Sequence, residues 1–300
     1  MAGARASAWG FSLLLAACAP TAQAPHLSAP HLSVPYVEKG ALVVDGDFAL
    51  KGKAIQGALL IGKLPNAAHN LQLDGEAVAV ADNGFFMIGF GRDAPRESVL
   101  EARLEDGTLM RQRLYVMPRT YKIDYLPSLK QNNTPDPAYE ALRAEEKARI
   151  KAARAHNSDL PFWQQDFRWP AFGRISGVYG SQRVLGGEPR DPHAGVDIAA
   201  PPGTPVVAPQ GGIVRVAGRF SLEGNMIILD HGHGLTTAYL HLSRMAVTEG
   251  DSVVAGQEIG AVGTTGRSTG PHLHWAMSLG ELRLDPQTVV PDMSQLASEK

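Results

Sequence analysis

The chain has 300 residues, 44% of them hydrophobic and 19% charged, with a formal net charge of −2. That length accommodates two domains, the composition is that of a folded globular protein, and the near-zero charge leaves no footprint for nucleic acid. The 32 Gly and 21 Pro, set against few long helical patterns, favour short strands and turns in a mainly β fold, and the single cysteine, Cys18, excludes an intramolecular disulfide.

Residues 1–17 read as an export signal: Arg5 supplies a weak basic start, and Trp9 to Ala17 an apolar core too short to span a bilayer. The run ends Leu15-Ala16-Ala17-Cys18, which resembles the lipobox of bacterial lipoproteins. The resemblance implies a diacylglyceryl group on Cys18, which becomes the new N-terminus, and hence an exported protein held to a membrane by an N-terminal lipid anchor. A cut after Ala22-Gln23-Ala24 competes, but it would leave Pro25 directly after the broken bond. Ala19 stands where some inner-membrane lipoproteins have Asp, which in a Gram-negative cell points to the outer membrane, facing the periplasm.

Residues 18–35 form a Pro-rich tether in which Ala-Pro-His-Leu-Ser occurs twice, so His26 and His31 read as tether and not as metal ligands. Between 36 and 127 the pattern changes to short apolar runs at 54–61, 70–75, 77–81, 85–90, 99–104 and 113–116. Asp74-Gly75, Asn83-Gly84 and Asp106-Gly107 punctuate them as hairpin turns, which predicts a small β-sandwich. This region holds no cluster of His, Cys or paired carboxylates, and His69 reads as a loop residue. Its role as a positioning module or as a spacer is open at this point.

Residues 128–168 read as a linker and a short helical connector, with the helix over 138–155. Glu140, Glu145 and Glu146 precede Lys147, Arg149, Lys151 and Arg154 in the order that suits i,i+4 pairing and the helix dipole. The charge run reads as a solvated face, with a cover over the entrance to the next domain as the alternative. Trp163 and Trp169 follow, and packing is favoured for them over sugar stacking.

The chemistry lies between 169 and 290, ahead of a tail at 291–300. In Gly270-Pro271-His272-Leu273-His274-Trp275 the residues after proline read as a strand, so His272 and His274 project from one face. A zinc centre needs three protein ligands and an open position. Asp191-Pro192-His193-Ala194-Gly195-Val196-Asp197 offers a histidine and a carboxylate, and its Pro and Gly predict a loop entering a short strand. Ligands would then converge through tertiary structure.

The succession His-x-x-x-Asp, Tyr-x-His-Leu and Gly-Pro-His-x-His, within about 170 to 286, resembles the catalytic domain of the lysostaphin-type zinc endopeptidases, the LytM domain, which cleave peptide cross-links of bacterial cell walls. That resemblance implies one Zn2+ held by His193, Asp197 and His274, and it places His241 and His272 at the reacting centre without binding metal. Arg183 matches a position that could hold a substrate carboxylate or oxyanion. The implied activity is zinc-dependent hydrolysis of peptidoglycan cross-links, with stem peptides as substrate. The alternative is a non-catalytic LytM-type activator or binding partner of cell-wall amidases, and retention of all five residues argues against it. His231 and His233 form a second His-x-His that reads as a solvent-facing hairpin turn. Glu281 and Asp285 are not taken as general bases, because the His-Glu-x-x-His arrangement is absent, and Asp191 is at most a carboxylate behind His193.

Overall fold

A computed structural model describes residues 42–126 and 136–296. The export signal, Cys18, the tether with His26 and His31, and most of the linker before the helix lie outside the described residues.

The N-terminal strands are β1 (Val43–Asp45), β2 (Leu59–Lys63), β3 (Ala68–Leu73), β4 (Glu76–Ala77), β5 (Phe85–Gly89), β6 (Glu97–Leu104), β7 (Leu109–Tyr115) and β8 (Ile123–Leu126). One sheet runs β1-β7-β6-β3-β4, and β2 pairs with β5 in a second. Period-two alternation turns Leu71, Leu100, Ala102 and Leu114 of the first sheet inward against Leu60, Phe86 and Ile88 of the second, around the fully buried Phe48. The turn at Asp74-Gly75 has φ of +52° and +86°, the left-handed pair that a two-residue hairpin demands. Three local expectations fail. The run at 77–81 is strand only at Ala77, the end of β4, with a single bridge from Val80 to Phe86. The strand expected from 54 starts only at Leu59, because the chain turns at Gly57 with φ +92°. His69 is not in a loop but on β3, opposite Arg103.

Helix α1 (Pro137–Ala155) is capped by Asp136, whose carboxylate accepts from the backbone N–H of Ala138 and Tyr139. Beyond it stand β9 (Arg174–Gly177), β10 (Gln182–Leu185), β11 (Glu188–Pro189), β12 (Gly195–Ala199), β13 (Pro205–Val207), β14 (Gly212–Phe220), β15 (Gly224–Gly232), β16 (Leu235–Leu242), β17 (Arg244–Met245), β18 (Ser252–Val253), β19 (Glu258–Ala261), β20 (His272–Leu279) and β21 (Leu282–Leu284). The main sheet has the order β18-β14-β15-β16-β20-β12-β9, with β21 added to β20. A smaller sheet, β13-β19-β17, lies beside it, and β8 leaves the N-terminal sheets to pair in parallel with β10.

Alternation gives the main sheet two unlike faces. Val196, Ile198, Ile227, Leu229, Tyr239, Leu273, Trp275 and Met277 enter the large core together with Trp163 and Trp169. Both tryptophans are buried, at 0% and 3% exposure, so neither is available to stack on a sugar. The opposite face carries Val216, Met226, Ile228, Ala238 and Ala276, covered by Ile150 and Ala153 of α1. His274 sits two residues before Ala276 on β20. The helix therefore covers one half of the face whose other half carries the histidines.

Candidate metal centre

Strands β12 and β20 run antiparallel in register, with Asp197 opposite His274. Their facing side chains share one side of the sheet, and His193 reaches the same point from the loop before β12. His193 Nε2 lies 3.1 Å from Asp197 Oδ1 and 3.0 Å from His274 Nδ1, and those last two atoms are 2.8 Å apart. Three ligands bonded to one ion at ~2.0–2.1 Å have edges of about 3.3 Å, so the donor set and spacing fit a divalent metal. Among the described residues this is the one group of His, Cys, Asp or Glu that meets such geometry.

Glycine makes the space. A Cβ on Gly177, opposite Asp197 across β9 and β12, would meet Asp197 Oδ2 at 2.2 Å. One on Gly195 would meet the Trp275 carbonyl oxygen at 2.3 Å and His274 Nε2 at 3.0 Å.

The tautomers are set from behind. His193 Nδ1 donates to the Val178 carbonyl at 3.0 Å, so in the neutral ring the Nε2 lone pair faces the centre, and in the protonated ring Nε2–H donates to Asp197. Asp191, proposed for a supporting place, is exposed and makes no bond to His193; a backbone carbonyl has it instead. Burial pushes the Asp197 carboxyl upward, but hydrogen bonds from His193 and His274 more than offset it and hold the group well below the usual carboxylate range. Burial lowers His274. Burial also opposes the charge on His193, yet its bond to Asp197 leaves it raised.

Two further imidazoles stand beside the triad. His241 Nδ1 donates to the Thr265 carbonyl at 2.8 Å, and His272 Nδ1 donates to the Gly270 carbonyl at 2.8 Å. Nε2 is thus the nitrogen that each ring turns away from its carbonyl partner, and the His272 Nε2 lies 3.8 Å from Asp197 Oδ1. The His241 and His272 rings are 4.8 Å apart, and His241 is 6.4 Å from His274. Burial lowers the pKa of His241, against the Thr265 bond that favours its charged form.

Arg183 is exposed on β10 and bonds to none of these side chains. Glu281 is paired with Lys151, and Asp285 is buried and bonded to Arg119, so both serve the scaffold. His231 departs from its expected solvent-facing place. It is fully buried in the alternation of Ile227 and Leu229, donates from Nδ1 to the Gly211 carbonyl at 2.7 Å, and accepts at Nε2 from Thr237 Oγ1 at 2.7 Å. His233 does sit in the turn, at φ +50°, but its ring lies 5.3 Å from that of Trp163.

The sheet face of this mainly β domain thus gathers two histidines and one carboxylate in the geometry of a metal-binding centre. Residues 191–286 match the sequence model of peptidase family M23, and the chain carries an M23 domain of the LytM type. Over 106 residues it is 42% identical to the DD-carboxypeptidase/endopeptidase Mpg of Neisseria meningitidis, covering 34% of this chain and 24% of that protein. Over 86 residues it is 45% identical to the peptidoglycan DD-endopeptidase ShyA of Vibrio cholerae, covering 29% of this chain and 20% of the other. The chain thus spans about a quarter or less of the length of the curated relatives it matches. A crystal structure of an M23 peptidase from Pseudomonas aeruginosa superposes with a TM-score of 0.60 at 27% identity, over 79% of this chain and 94% of that one. That likeness extends well beyond the family's own residues into the N-terminal strands and helix.

Proposed function

We propose that this protein is a zinc-dependent endopeptidase that hydrolyses peptide cross-links of peptidoglycan, exported and anchored through a lipid on Cys18. The observation that carries the enzymatic reading is the convergence of His193 Nε2, Asp197 Oδ1 and His274 Nδ1, beside two imidazoles whose Nδ1 protons are already committed to carbonyls. The relatives' names supply the substrate class, and the anchor rests on the sequence alone.

His193, Asp197 and His274 would hold the ion, which when bound polarises the scissile carbonyl and acidifies water. His241, kept neutral by burial, takes the proton of the attacking water at Nε2 as oxygen bonds to the carbonyl carbon. His272, in the form that has taken a proton from solvent at Nε2, is placed to hydrogen-bond the tetrahedral oxyanion and keeps that proton throughout. As the C–N bond breaks, the leaving nitrogen accepts the proton from the imidazolium. The five side chains together have this chemical use, whereas a module that only binds an amidase needs none of them.

His274→Ala should abolish both metal content, measured by plasma mass spectrometry, and digestion of purified murein sacculi. His241→Ala should lose digestion while keeping the metal. Wild-type digestion by His241→Ala would remove its assigned role. A metal-loaded wild type that released no fragments from sacculi would favour the binding module. Mass spectra of released fragments identify the bond cut.

A further inference from the structure

Helix α1 is covalently remote from the histidines, but a chain of bonds leads from it to His241. The backbone of His241 is left-handed, φ +63°, a conformation that a residue with a Cβ adopts at a cost and keeps only when its surroundings hold it. The cause is local. The register of β15 on β16 shifts between Asn225 and Ile227, leaving an extra residue on β16 at Leu240-His241. The displaced N–H of His241 leaves the ladder and donates to the carbonyl of Glu223 at 2.9 Å.

Glu223 belongs to the turn Ser221-Leu222-Glu223 that joins β14 to β15. From the side away from His241, that turn is held by α1. Arg143 donates through Nη1 and Nη2 to the two carboxylate oxygens of Glu223 at 2.8 and 3.0 Å. Glu146 accepts from the backbone N–H and the hydroxyl of Ser221, each at 2.6 Å, and also pairs with Arg143. The Arg143 and Glu146 side chains are only 8% and 10% exposed, so this is a built contact and not a surface ion pair. On its other side the same turn accepts from the N–H of Arg267 at Leu222 O, 2.8 Å, in the loop that supplies the Thr265 carbonyl to the His241 ring.

The geometry points to Arg143 and Glu223 as positioning residues for His241: α1 fixes the 221–223 turn, and the turn fixes the backbone and ring of the proton acceptor. The inference rests on the role given to His241 above and assigns the connector helix a part in catalysis rather than in linkage alone. A sub-ångström shift of an acceptor can cost about tenfold to a hundredfold in rate. The full chain with Arg143→Met should therefore show kcat for cross-linked muropeptide dimers down by about that factor, with KM and metal content unchanged. Glu223→Gln, which keeps the side-chain volume, should show a smaller loss.

The discriminating step is a cycle with His241→Ala. In that background Arg143→Met should alter the residual rate by less than about twofold, because its target is gone. Equal losses with and without His241 would overturn the proposal, as would wild-type kcat in both Arg143→Met and Glu223→Gln, or a loss explained by missing metal. Should Arg143→Met fail to fold, Glu223→Gln carries the same cycle. Failure of the parent reading is separate, since it appears as full activity in His241→Ala alone.

Discussion

Acid should destabilise this protein through a histidine that has no part in its chemistry. His231 is fully buried, and burial lowers its pKa from 6.5 to about 4, despite the bond from Nδ1 to the Gly211 carbonyl. Gly211 O can only accept, so Nδ1 carries the proton and Nε2 accepts from Thr237 Oγ1, whose oxygen lies 2.7 Å from the Tyr239 hydroxyl. Protonating Nε2 would reverse that hydroxyl chain inside the core. In the unfolded chain the imidazole takes its proton as pH falls through 6.5, whereas the folded one refuses it until about 4. The contribution of His231 is therefore complete above 6.5, declines as pH drops through the window, and levels off below about 4. At ~1.4 kcal/mol for each pH unit the gap amounts to about 3 kcal/mol. Urea unfolding of metal-free protein, followed by tryptophan fluorescence, compares wild type with His231→Gln. The variant starts less stable at neutral pH, but between neutrality and pH ~4 the wild type should lose about 3 kcal/mol more than the variant does. The metal ligands titrate alike in both proteins and cancel. Parallel losses would refute the assignment.

Gly177→Ala puts a methyl 2.2 Å from Asp197 Oδ2, and should weaken metal affinity by about tenfold to a hundredfold in a chelator competition while leaving the thermal transition of metal-free protein nearly unchanged. Asp136→Ala removes the acceptor for two N–H groups at the start of α1 and should cost about 1 kcal/mol in urea unfolding.

The parts of the centre that lie on one strand were legible in the sequence. Period two alone sets His272 and His274 on one face, and both sit on β20. The proline and glycine around His193 announced a loop leading into a strand, as found at β12. Sequence could not show that Gly177 clears the space for Asp197, since that depends on the pairing of β9 with β12. His231 was misjudged for a related reason. A His-Gly-His-Gly run looks like a turn, but the strand extends to Gly232, and His231 continues the inward series of Ile227 and Leu229. That series was the available signal. On α1 the charge order suggested pairing along the helix; Arg143 and Glu146 do pair at i,i+3 but both also hold the 221–223 turn, and Arg149 and Lys151 pair with Glu249 and Glu281. Pairing rules within a helix are worth only a few tenths of a kcal/mol, so a partner on a facing element readily outcompetes them.

The parallel pairing of β8 with β10 bears on how the chain is assembled in time. On a polypeptide made from its N-terminus, the N-terminal sheets can close as soon as Tyr115 is available, whereas Ile123 to Leu126 must wait for Gln182 to Leu185. Because β8 finds its partner only in β10, its capture reports the arrival of Gln182 to Leu185. Hydrogen exchange at 123–126 would accordingly report when this parallel pair forms, read out in a segment about sixty residues upstream of the strand that captures it.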